Sequence, residues 1–127
     1  MPPRIGRFWF NESVKSAERK CDTFTVTYWK GTKKVDEAHC AIAETDYLLS
    51  FSRASKLIAI SFDINQESYD VCAKEVLDAL GPKGRGEDDN GYEHWAIAFF
   101  NEQRVRTGGM MCAQTGTGHR IAWWLPD

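Results

Sequence analysis

Residues 57–82 read LIAISFDINQESYDVCAKEVLDALGP, and this stretch decides the fold class. Leu57-Ile58-Ala59-Ile60 is an unbroken apolar run of strand length, the pattern of a central strand. Asn65 then offers a side-chain oxygen as an N-cap, and Glu67 in the first turn favours the helix dipole. From there the apolar spacing becomes one-sided. Tyr69, Cys72, Ala73, Val76 and Leu80 share one face of a helix, and Glu67, Asp70, Lys74 and Asp78 share the other. Gly81-Pro82 stops it. A helix over about 66–80 therefore follows a buried strand.

Outward from this pair the chain reads as strands. Thr23, Thr25 and Thr27 alternate with Phe24, Val26 and Tyr28, so Thr23–Trp29 is a strand with its threonines in water. Gly31 lies in the turn that follows. Residues 34–55 admit two readings. Val35–Ala43 fits a return strand, and Thr45 either caps a short helix through Leu48, Leu49 and Phe51 or begins another strand. The helix is the expectation adopted. Phe8-Trp9-Phe10 forms a brief first strand, and 11–21 is a short helix or a loop.

Beyond the helix, residues 81–91 read GPKGRGEDDNG, a glycine-rich charged loop expected to be mobile. Tyr92–Phe100 is an apolar strand, Asn101-Glu102-Gln103 a hairpin turn, and Arg104–Cys112 the return, with a bulge at Gly108-Gly109. Thr115-Gly116-Thr117-Gly118 turns the chain into a last strand, His119–Leu125. The expectation is one α+β domain over 1–127. It has a mainly antiparallel sheet of five to six strands, one amphipathic helix on one face, and a second short helix.

A net charge of −2, from 16 basic and 18 acidic residues, excludes a histone-like nucleic-acid binder and a DNA mimic. Cys21, Cys40, Cys72 and Cys112 lie far apart with no C-x-x-C pair, which argues against a zinc site. Met1–Arg7 carries no apolar run of signal-peptide length. Together these features predict free, buried thiols in a cytoplasmic protein. No stretch has the length of a transmembrane helix, so no membrane association is expected.

Motif matches fail in context. Asp36-Glu37-Ala38-His39 spells a helicase box, but no buried apolar strand precedes it and no Walker A loop occurs. Gln114–Gly118 resembles a phosphate-cradling glycine loop but precedes a strand, where a helix N-terminus would be needed. Glu87–Gly91 fails as a calcium loop, because alignment on Gly91 places Ile97 where a glutamate is required. His39, His94 and His119 show no metal-ligand spacing. Neither a metal, nor a cofactor, nor a catalytic group is singled out.

The functional hint is aromatic. Aromatic residues make up 13% of the chain, including five Trp. Adjacent residues of a strand point to opposite faces, so Trp123 and Trp124 cannot both enter one core. The same holds for Trp9 beside Phe8 and Phe10, and for Trp29 beside Tyr28. Something must cover the surplus. The expected function is a protein-binding module of the inhibitor or immunity type. Its partner contacts would come from Trp29, Arg104, Arg106, Trp123, Trp124 and the acidic residues Glu87, Asp88 and Asp89. A nucleic-acid or nucleotide binder using Lys30, Lys33, Lys34, Arg104 and Arg106 is the alternative. A small enzyme drawing on His39, His94, His119, Glu93 and the cysteines is the third class.

Overall fold

The computed structural model describes residues 4–114 and 118–125. The expected turn at Thr115–Thr117 lies outside these residues. Ten strands and two α-helices occur in the order β1 (Arg4–Ile5), β2 (Phe8–Trp9), α1 (Val14–Glu18), β3 (Thr23–Tyr28), β4 (Val35–Ile42), β5 (Thr45–Phe51), β6 (Leu57–Asp63), α2 (Gln66–Leu80), β7 (Arg85–Glu87), β8 (Glu93–Phe100), β9 (Arg106–Ala113) and β10 (His119–Trp124). The α+β class and the helix over 66–80 agree with the sequence. The main sheet counts eight strands, β3 to β10, rather than five or six, and β1 and β2 form a separate two-stranded sheet.

Two expectations on secondary structure are corrected. Thr45–Phe51 is strand β5, not a short helix. Its Tyr47, Leu49 and Phe51 pair with Phe62, Ile60 and Leu57 of β6, so cross-strand packing decides a segment whose local pattern was ambiguous. The segment 81–91 is not all loop: a 3-10 turn spans Gly81–Gly84 and β7 follows at once. Gly84 is buried there, and a Cβ would come within 2.6 Å of Val76 Cγ1. A small residue is thus needed where the chain leaves the helix.

The chain divides into two compact units, residues 1–62 with 123–127 and residues 63–122. In the first unit, β3 to β6 form an antiparallel meander joined by short turns. Thr23, Thr25 and Thr27 face solvent as expected, and Phe24 and Val26 are half-buried. Phe8, Phe10, Ala38, Cys40, Leu49, Phe51, Leu57 and Ile60 are buried. The Tyr47 ring meets Phe8 edge-on at 5.4 Å and lies 5.0 Å from Phe62. Glu12 fixes the entry to α1. Its carboxylate accepts hydrogen bonds from Trp9 N (2.7 Å), Ser16 Oγ (2.6 Å) and Lys20 Nζ (2.8 Å), with the side chain only 7% exposed.

In the second unit, α2 packs on β8 and β9. Asn65 caps it, its Oδ1 accepting from Ser68 N at 2.8 Å. Tyr69, Cys72 and Val76 are its buried side chains. The strands run in the order β10-β9-β8-β7. His94 to Phe99 pair with Ala113 to Gly108, and the register then shifts so that Phe100 pairs with Arg106. The irregularity falls at Thr107, beside the glycine pair where a bulge was expected.

The cysteines overturn the free-thiol expectation. Cys21 is bonded to Cys40 and Cys72 to Cys112, and no cysteine is free. Spacing concealed this because each partner lies on a different element. Cys72 sits on the inner face of α2 above Cys112 of β9, and Cys21 just precedes β3, the neighbour of β4 that holds Cys40. Among the described residues no helix is long and apolar enough to cross a membrane.

Candidate functional site

The β8–β9 tip is built by a self-bonded turn. Asn101 N donates to Val105 O and Arg104 N donates to Asn101 O, both at 3.0 Å. The Asn101 side-chain oxygen accepts from Gln103 N (2.9 Å) and Val105 N (3.0 Å). Arg104 takes the left-handed conformation, φ 62°, that closes the turn. Asn at the start of a turn supplies just this bonding. The result is a preorganised end that presents Phe100 (62% exposed), Arg104, Val105 (59% exposed) and Arg106.

The other residues expected to bind a partner are placed elsewhere. Glu87 ends β7 opposite Glu93, at the far end of β8 from the tip. Seven residues of strand separate the two ends, about 23 Å. Glu87 accepts from Arg85 at 3.0 Å, and Arg85 also donates to Glu93 at 2.8 Å. Asp88 serves its own turn, accepting from Asn90 N and Tyr92 N at 2.9 Å each. Asp89 is exposed. Trp29, Trp123 and Trp124 belong to the first unit. There Arg53 lies over the Trp29 ring at 4.8 Å, and Trp124 stacks on Phe10 at 6.4 Å. Trp123 is half-buried. Arg4 likewise lies over Trp9 at 5.3 Å. Part of the aromatic surplus is thus covered by the chain's own cations.

A second feature of the second unit is a cleft of about 380 Å³ lined by Asp88, Tyr92, Glu93, His94, Met111, Ala113, His119 and Ile121. Strand alternation places it. Cys112 faces α2, so Met111 and Ala113 face the opposite, helix-free side, together with His94, which pairs with Ala113. The His94 ring lies across Gly86 on the neighbouring strand, where any Cβ would collide with it. His119 is held at the start of β10 by a hydrogen bond of 2.9 Å between its Nδ1 and Asp63 Oδ1. Gly118 makes this approach possible. Its φ is 94°, and a Cβ there would come within 2.6 Å of Ile64 O. On the helix side, burial first, and then the neighbouring Glu93 carboxylate, push the Tyr69 phenol up to about 12, so it stays protonated.

Sequence reasoning placed Arg104 and Arg106 at a strand end but missed Phe100 and Val105. The adjacent pair Phe99-Phe100 carried the signal, because two neighbours in a strand cannot both face inward. The His119–Asp63 pair, 56 residues apart, left no local trace. Comparison with known proteins gives no match: no family model, no curated protein and no solved structure resembles this chain.

Proposed function

We propose that the protein is a binding module of the inhibitor or immunity type that seats its β8–β9 tip in a partner protein. The observation that carries this reading is the preorganised turn presenting Phe100 and Val105 together with Arg104 and Arg106. An aromatic anchor flanked by arginines is the composition of interface hot spots. A turn already bonded to itself loses little conformational freedom on binding. The partner surface that fits is a concave apolar one with acidic groups at its rim.

The two disulfides favour an oxidising compartment over the cytoplasmic setting expected from sequence. They also suit a small module that must hold its shape outside the cell's reducing interior.

The test is purification of the tagged protein from its host at moderate and raised salt, beside Phe100→Ala and Arg104→Ala. A single protein in fixed ratio, kept at raised salt and lost with either variant, supports the reading. Nucleic acid that raised salt strips away would replace it with the nucleic-acid alternative.

A further inference from the structure

We propose that the cleft on the helix-free face of the second unit binds a small, uncharged aromatic hydroxyl compound, whose hydroxyl donates to His119 Nε2. This site is separate from the β8–β9 tip and does not depend on its role.

The cleft's chemistry narrows the ligand class by elimination. Met111, Ala113 and Ile121 offer an apolar surface, and Tyr92 adds a ring at the edge. A thioether beside an aromatic ring is a favourable contact. The volume, about 380 Å³, is at the small end for ligand pockets and suits one ring or two fused rings.

Charge is the second filter. Among the described residues no Lys or Arg lines the cleft, so an anion such as a phosphate or carboxylate finds no guanidinium or ammonium group there. The carboxylates nearby are engaged. Asp88 accepts from two backbone N–H groups, Glu93 from Arg85, and Asp63 bonds His119. A cationic ligand would have to compete with these contacts. An uncharged ligand leaves them intact.

The third filter is hydrogen bonding. With its Nδ1 bonded to the Asp63 carboxylate, His119 has Nε2 left for a ligand, an acceptor when the ring carries a single proton. The ligand must then bring a donor. Among the described residues no serine, threonine or cysteine lines the cleft, and the role proposed for it is binding. Asp63 is a positioning residue, since its contact is with the imidazole.

The probe is p-cresol, titrated into the intact, oxidised protein while the methyl signals of Met111, Ala113 and Ile121 are followed by NMR. The reference compound is 4-methylanisole, of nearly the same shape but without the donor. Saturable shifts confined to these methyls are expected with p-cresol, and about fivefold weaker binding of 4-methylanisole, the worth of one net hydrogen bond. His119→Ala should weaken p-cresol by a similar factor, and Asp63→Asn by less. His119→Gln, which keeps an acceptor, should recover part of the loss. Absence of shifts up to roughly 10 mM p-cresol, where a Kd in the millimolar range would still register, overturns the proposal. Equal affinity for the two compounds overturns it as well, and that comparison needs no variant.

Discussion

The two units carry the same kind of surplus, large aromatic side chains that a one-sided sheet cannot bury, and treat it differently. The first covers part of it from within, with Arg53 over Trp29, Arg4 over Trp9, Trp124 on Phe10 and Lys20 over Phe8 at 5.7 Å, though Tyr28 stays exposed. The second leaves Phe100 and Tyr92 exposed, one at each end of β8, beside a rigid turn and an open cleft. An aromatic residue is therefore a weak pointer to function until its own neighbours are counted. The first unit places cations over its own rings, whereas the second exposes Arg104 at the tip where Phe100 stands.

The largest test of this contrast is covalent. Replacing Cys72 and Cys112 by serine opens a loop of 40 residues, and should cost about 4 kcal/mol. Replacing Cys21 and Cys40 opens one of 19 and should cost about 3 kcal/mol. Denaturant melts of the two double variants would order them, and the reverse order would show that α2 needs no staple to stay on its strands.

Glu12→Ala removes a nearly buried carboxylate and leaves Trp9 N, Ser16 Oγ and Lys20 Nζ without their acceptor. It should cost about 2–3 kcal/mol, read in the same melts. Phe100→Ala should behave in the opposite way. Stability should stay within about 0.5 kcal/mol, and partner affinity should fall by about 2 kcal/mol in calorimetry. A large loss of stability instead would make Phe100 a core residue and sink the contrast between the units.

Tyr69 gives a pH signature confined to the second unit. Its phenol is raised from 10 to about 12 on folding, so the folded state holds the proton more tightly than the unfolded one. That stabilisation is complete below pH 10 and is lost as the pH rises towards 12. Discounted for screening by solvent, its size is roughly 1 kcal/mol. Melts across this range should lose that dependence in Tyr69→Phe. The smallest effect belongs to Arg53→Ala, about 0.5–1 kcal/mol, with a change in Trp29 fluorescence as its ring loses the guanidinium. A silent fluorescence spectrum would mean the ring is not covered in solution.

Where local chemistry fixes an element, reading the chain was enough. The Asn65 cap, the one-sided apolar face from Tyr69 to Leu80 and the stop at Gly81 define α2 without any long-range contact. The threonine alternation defines β3 in the same way. Reading failed for Thr45–Phe51, whose pattern suits a helix or a strand equally until Leu49 meets Ile60 and Phe51 meets Leu57. It missed also the 3-10 turn and strand β7 within segment 81–91, where Gly84 is required by a close approach to Val76.

Patterning and local propensity thus determined from sequence alone that the chain is α+β, where its main helix begins and ends, and that its aromatics exceed what one sheet face can bury. Tertiary structure alone decided which aromatics are covered, which cysteines are bonded and where histidine meets carboxylate. The bonded cysteines and the His119–Asp63 pair lie 19 to 56 positions apart in the chain, and local preference holds no record of such distances.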